Sequence, residues 1–170
     1  HFDGVDGKKL TPKERGIALL SQRAPLFPWL SVRDNISFDL DVVGELTKEA
    51  IKEEVLGIAD KLSITNLLDR YPQGLSGGEL QRVAFSGMLV GNRRIMLFDE
   101  PLSHLDAPLR DEMRFLLQSL IRQKEATAIY VTHDQREAAG LADRIAVMSR
   151  GSIEQVGTFA ELYNSPATLF

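Results

Sequence analysis

The chain has 170 residues, 44% apolar and 26% charged, which is the balance of a folded domain rather than a disordered tail. Its net charge of −4 offers no basic face to nucleic acid or to an anionic membrane surface, and the absence of cysteine excludes disulfides and thiolate metal sites. No apolar run approaches the roughly 18 residues of a membrane span and the start is polar, so the expectation is a soluble intracellular domain that meets any membrane through a protein partner.

Residues 1–15 carry Gly4, Gly7, Pro12 and several charges and read as loop and turn. The Gly7-Lys8 pair invites a phosphate-loop reading, which fails. That loop needs a glycine where Phe2 stands and Ser or Thr where Lys9 stands, and no other Gly-Lys pair exists. Residues 17–21 form a short apolar run, a candidate buried strand, with Gln22 at its end. A lone glutamine at a strand end fits plain solvation; its amide, donor and acceptor at once, also suits a ligand bridging metal and water.

Ala24-Pro25-Leu26-Phe27-Pro28-Trp29-Leu30 cannot be regular with two prolines, yet its large apolar side chains need cover. It is either a locally buried loop or a partner surface. Ser31 then caps a helix start. From Thr47, a plausible cap, the residues Ile51, Val55, Ile58, Ala59 and Leu62 recur at helical spacing, and residues 64–71 read as another short helix burying Leu67 and Leu68. Pro72-Gln73-Gly74 breaks the pattern and leads into Leu75-Ser76-Gly77-Gly78-Glu79. Ser76 with Glu79 three residues on fits a capping box before apolar Leu80, Val83 and Ala84. Two glycines in the first turn bare the unpaired N–H groups there, so an anion site and an ordinary capped surface helix fit these residues equally.

Ile95-Met96-Leu97-Phe98 ending in Asp99-Glu100 reads as a buried strand with carboxylates at its carboxyl end, where ligands bind in open α/β sheets. Pro101-Leu102-Ser103-His104-Leu105-Asp106 redirects the chain, and Pro108 suits the first turn of a helix whose stripe is Leu109, Met113, Leu116, Leu117, Leu120 and Ile121. A strand over 128–132 ends in His133-Asp134. A helix over 135–141, a strand over 144–148, a turn at 149–151 and a last strand over 152–156 follow. This alternation argues α/β architecture with buried parallel strands.

Taken together, these blocks resemble the ATP-binding subunit of an ABC transporter, and the resemblance covers nearly the whole chain. Leu75 to Glu79 is similar to the signature motif, Ile95 to Glu100 to the Walker B strand with its catalytic glutamate, Pro101 to Asp106 to the D-loop, His133 to the switch histidine, and Gln22 to the Q-loop glutamine. Residues 26–36, 132–135 and 155–158 resemble the importer type that carries sugars, polyamines, iron or molybdate, with carbohydrate favoured.

The resemblance implies a P-loop NTPase (RecA-like) α/β fold with a parallel sheet, incomplete here, and an inserted all-helical subdomain. Residues 1–22 would be a partial ATPase core, 23–92 the helical subdomain, 93–157 the remaining core and 158–170 the start of a linker. The missing phosphate loop implies an N-terminally truncated subunit that neither binds nor hydrolyses ATP tightly by itself, with an unfilled strand position between the strand ending at His133 and the strand at Ile145. In the complete protein the resemblance assigns Mg²⁺ to Asp99 and Gln22, catalysis to Glu100 and His133, and ATP contacts to Gln22, Ser76, Gly77, Gly78, Glu79 and Asp106, with the signature residues serving the opposite subunit of a homodimer. Leu26, Phe27 and Trp29 would dock a membrane permease, which in turn works with a substrate-binding protein, at the inner face of the cell membrane. Two departures stand out. Glu79 replaces the usual glutamine, and Phe85-Ser86-Gly87-Met88 replaces an arginine and alanines, with consequences for packing of that helix. A non-catalytic module paired with a complete subunit, and a soluble ABC ATPase outside transport, are the competing readings.

Overall fold

Three parallel strands, β1 (Ile17–Leu20), β2 (Ile95–Asp99) and β3 (Thr127–Val131), lie side by side in that order in the computed structural model, which describes residues 7–10, 15–22, 25–91, 93–103 and 105–168. Residues 1–6 (with Phe2, where the phosphate loop would need glycine), 11–14, 23–24 and His104 lie outside the described residues. The register aligns Ala18, Met96 and Ala128 in one row and Leu20, Phe98 and Tyr130 in another. Side chains alternate faces along a strand, so both rows point the same way, into the core. The intervening row, Leu19 with Leu97 and Ile129, points the opposite way; there Leu19 is 65% and Ile129 58% exposed. The expectation of strands buried on both faces is therefore corrected. Among the described residues, only one face is covered by helices.

Among the described residues between β1 and β2 there is no further strand, only helices and the loops that join them. The first helix, α1 (Val32–Val43), starts where Ser31 Oγ accepts from the Asp34 N–H and stops at left-handed Gly44. Next comes α2 (Lys48–Lys61), capped by Thr47. The helix expected over 64–71 is only a 3₁₀ turn, Thr65–Leu67. Ser63, at φ 54°, has already turned the chain out of α2, and Tyr71 is held extended before Pro72, which leaves too few residues for an α-helix. Leu67 and Leu68 are nonetheless buried, as expected.

The third helix, α3 (Gly77–Leu89), links this layer to the sheet. Val83, Phe85 and Leu89 are fully enclosed with Val32 and Ile36 of α1 and with Phe98 of β2, and the Phe85 and Phe98 rings sit 6.5 Å apart. Phe85 fills the space against β2, while a Cβ on Gly87 would make only ordinary contact, 3.5 Å from the Asn35 carbonyl of α1, so packing does not require glycine there. The fourth helix, α4 (Ala107–Gln123), buries Met113, Leu117 and Leu120 in the same core, at the helical spacing the sequence displays.

After β3 come α5 (Gln135–Leu141), β4 (Ile145–Ser149), β5 (Ser152–Gly157) and α6 (Phe159–Asn164). β4 and β5 form an antiparallel hairpin, turned by Arg150 and Gly151 at φ 47° and 81°, and β4 does not pair with β3, as the unfilled strand position implied. The stretch read as the start of a linker opens with α6, whose first turn Thr158 and Glu161 close in a capping box.

Candidate functional site

Parallel strands in register end together, so the residues just past β1, β2 and β3 gather at one edge of the sheet. Asp99 is the last residue of β2 and is exposed. Glu100 follows; its N–H donates to Val131 O at 2.9 Å, extending the ladder, while its φ of 46° puts it in the left-handed region. That bend is held from behind by Ser103, whose Oγ donates to Glu100 O at 2.9 Å. The bend turns the Glu100 side chain across the strand ends. There Gln22 Nε2 donates to its Oε2 at 3.5 Å and His133 Nδ1 lies 3.2 Å from its Oε1. The short contact needs a proton on Nδ1, which either the Nδ1–H tautomer or the imidazolium provides. Each carboxylate oxygen of Glu100 is thus oriented by one side chain from a neighbouring strand end, with room on its exposed side.

The signature segment occupies a different place. Ser76 Oγ accepts from the Glu79 N–H, while Glu79 Oε2 takes the Ser76 N–H at 2.8 Å and its hydroxyl at 2.7 Å. These Ser76 bonds, the hydroxyl first, hold the Glu79 carboxyl below its ordinary value of 4.5. Glu79 is therefore folded back onto its own cap. Gly77 and Gly78 lie in the first turn of α3, and a Cβ on Gly78 would approach Leu109 Cδ2 to 3.1 Å. Among the described residues no hydrogen bond joins Ser76, Gly77, Gly78 or Glu79 to Gln22, Glu100 or His133; the link runs through Gln81, whose Nε2 donates to Pro101 O beside Glu100. Asp106 is the N-cap of α4, accepting from the Leu109 N–H at 3.0 Å, a role the Asp-Ala-Pro order could have announced.

The Phe27–Trp29 loop is pinned rather than loose. Asn35 receives the Phe27 N–H at 2.7 Å and donates to the carbonyls of Phe27, Leu30 and Ser31, and Gln73 donates to Pro28 O at 2.7 Å. So held, Leu26 packs onto the core while Trp29 is 71% exposed, and the Phe27 ring packs tilted between Trp29 and Phe38, at 5.7 and 4.5 Å. Leu26 and Phe27 border an open groove of about 230 Å³. One side of the loop is thus buried and the other exposed.

The sequence profile of ABC transporters matches residues 1–103 of the chain. The chain belongs to the ABC transporter family. It is 48% identical over 161 residues to the sn-glycerol-3-phosphate import ATP-binding protein UgpC of Roseobacter denitrificans, covering 95% of this chain and 45% of that protein. It is also 48% identical over 170 residues to the alpha-glucoside transport ATP-binding protein AglK of Rhizobium meliloti, covering 98% and 47%. The chain therefore spans about half the length of the curated relatives it matches. Among solved structures, the dimeric post-hydrolysis state of the ATP-binding cassette MJ0796 bound to ADP and Pi superposes with a TM-score of 0.78 at 27% identity, over 92% of this chain and 68% of that one. The α/β fold with a parallel sheet is that of the ABC ATPases, as the motifs implied.

Which groups could hold a metal follows from the donor set. No cluster of three or more His, Asp or Glu ligands exists among the described residues. That rules out an all-protein cage there, but it fits Mg²⁺, which is commonly held by one or two carboxylates, waters and the phosphates of its nucleotide. Exposed Asp99 beside the Gln22–Glu100–His133 group is such a donor set. No helix among the described residues is long and apolar enough to cross a membrane.

Proposed function

We propose that these residues belong to the ATP-hydrolysing subunit of an importer, with Glu100 as general base and His133 and Gln22 as the groups that aim it. The observation that carries this reading is the convergence on Glu100, whose two carboxylate oxygens are engaged by side chains from both neighbouring strand ends. A carboxylate so oriented, only partly buried and open on one side, can accept a proton from a water placed against it. Asp99, with Gln22, would hold Mg²⁺, which when bound neutralises phosphate charge. His133 holds Glu100 in place and would contact the γ-phosphate of the bound nucleotide.

The first-turn N–H groups of Gly77 and Gly78, beside Ser76, would face the nucleotide of a second subunit, and Glu79, by capping Ser76, keeps its charge turned toward its own backbone. Asp106, at the head of α4, faces the same dimer partner. The rigid Phe27–Trp29 loop with Leu26 is the surface for the membrane permease, on the cytoplasmic side. The relatives' names, sn-glycerol-3-phosphate import and alpha-glucoside transport, support carbohydrates and their phosphate esters as the cargo class, delivered by a substrate-binding protein.

The test is MgATP turnover by the full-length subunit with its permease. Glu100→Gln should lower kcat roughly 10²–10⁴-fold while the protein stays folded. Undiminished turnover in that variant would remove Glu100 as the base. Absence of turnover in the unaltered subunit would favour a non-catalytic module, and turnover with no association with a permease a soluble ABC ATPase.

A further inference from the structure

One buried acid is not used by the reading above. Glu137, in the first turn of α5, is 4% exposed. Its Oε2 accepts from Thr132 Oγ1 at 2.8 Å and from the Tyr130 hydroxyl at 3.0 Å. Burial, and then the Glu137 charge, push the Tyr130 phenol well above its ordinary value, so it stays a donor. Thr132 Oγ1 in turn accepts from the Asp134 N–H at 3.0 Å, and the Asp134 carboxylate accepts from the N–H groups of Arg136 and Glu137. Burial works against ionisation of Asp134, but those two N–H groups and the Arg110 guanidinium outweigh it and hold its carboxyl below the ordinary 3.8.

The residues on either side of His133 are therefore both tied to the first turn of α5. The imidazole itself is 75% exposed and gains little direction from packing. Its aim at Glu100 has to come from the backbone that carries it. Arg110 adds a second anchor: it donates to Leu105 O at 2.7 Å and lies 3.7 Å from Asp134 Oδ2, with its buried Nε, which has no hydrogen-bond partner, 4.0 Å from Glu137 Oε1. A small pocket of about 40 Å³ separates this group from Glu100 and His133.

We propose that Thr132 and Glu137 are positioning residues that fix the His133 backbone so that its imidazole stays within hydrogen-bond distance of Glu100. The inference rests on the ATPase reading. A buried acid that only stabilises the core would act on folding; a bracket around His133 acts on turnover. Tyr130 and Thr132 donate to the same oxygen of Glu137, but only Thr132 also holds the Asp134 N–H. Their variants therefore separate the two roles.

The experiment compares Thr132→Val, Thr132→Ser and Tyr130→Phe in the full-length subunit, reading kcat and KM for MgATP beside Tm. Thr132→Val should lower kcat by up to roughly 10²-fold, the scale of a misplacement of about 1 Å, with KM little changed. Thr132→Ser keeps the hydroxyl and should restore kcat. Tyr130→Phe should lower Tm and leave kcat close to that of the unaltered protein. If Thr132→Val and Tyr130→Phe both shift only Tm, or if Thr132→Ser fails to rescue, the bracket does not position His133. An unaltered subunit without MgATP turnover would instead overturn the ATPase reading beneath it.

Discussion

His133 Nδ1 lies 3.2 Å from Glu100 Oε1, and the two residues leave the ends of adjacent parallel strands. The histidine side chain is 75% exposed and the glutamate 31%, so solvent screens the pair and its contribution to stability is small. His133→Ala is expected to change unfolding free energy by no more than about 0.5 kcal/mol. Denaturant unfolding checks this. A loss of several kcal/mol would mean that the contact holds the fold together rather than orienting Glu100.

Glu100 itself carries backbone strain. A non-glycine residue at φ 46° costs on the order of 1 kcal/mol relative to glycine. The neighbours Ser103 and Val131 bond its main chain, not its side chain, and so survive substitution. Glu100→Gly should therefore leave the fold unchanged or about 1 kcal/mol more stable, while abolishing turnover in the full-length subunit. Thermal unfolding decides. A clearly less stable variant would show that the side-chain bonds to Gln22 and His133 outweigh the strain.

Asp106 has two assignments that substitution can separate. As N-cap of α4 it accepts the Leu109 N–H. Asp106→Ala should cost about 1 kcal/mol, and Asp106→Asn, an equally good cap, close to nothing. If the carboxylate also faces a dimer partner, Asp106→Asn keeps stability and lowers the cooperativity of ATP turnover. Full activity and cooperativity in Asp106→Asn would confine the residue to capping.

How far the sequence could be read depended on whether the relevant physics was local. Ser31, Thr47 and Ser76 announce helix starts because a capping side chain bonds a backbone N–H only three residues ahead, and all three do so. Ile95 to Asp99 announces a strand because its apolar run is short and ends in acids. The β4–β5 hairpin was legible as two strands around a turn; what apolar alternation in Ile145 to Met148 could not say is which strand it pairs with. The α6 capping box, Thr158 with Glu161, was also legible in the sequence. Of the site, the separate motifs were visible and the resemblance pairs His133 with Glu100, but nothing in the sequence shows Gln22 meeting the same carboxylate across 78 residues. Thr132 and Glu137 were both in view five residues apart, yet nothing local says that the acid is buried under the loop.

Acid should weaken the capped helix starts in a defined window. Ser76 lowers the Glu79 carboxyl and Thr158 lowers that of Glu161, each from 4.5. A carboxyl whose folded value is depressed adds stability that is fully present above its unfolded value and is lost as pH falls through the folded one. Tm should therefore begin to fall below about pH 4.5, and the double variant Glu79→Gln, Glu161→Gln should fall less between about pH 5 and pH 3. The residual slope belongs to groups such as Asp134, depressed from 3.8. Identical slopes in the two proteins would show that the caps already open before they titrate.

A polypeptide of these 170 residues should not bind MgATP tightly. The phosphate cradle of such enzymes is a Gly-x-x-x-x-Gly-Lys-Ser/Thr loop whose N–H groups surround the phosphates, and Gly7-Lys8 has neither the first glycine nor the hydroxyl residue. In the proposed reading Asp99, Gln22, Glu100 and His133 would address a metal, a water and the outer phosphate, too little to retain a nucleotide without the cradle. The sheet agrees in part: β3 does not pair with β4, and 58% exposed Ile129 and 52% exposed Val131 lie on the uncovered face of the sheet. Calorimetric titration with MgATP, run next to a longer polypeptide that includes a phosphate loop, gives the answer. Binding confined to the longer chain would assign the affinity to the cradle. Tight stoichiometric binding by the 170 residues alone would mean that α3 and the strand ends form a complete phosphate site by themselves.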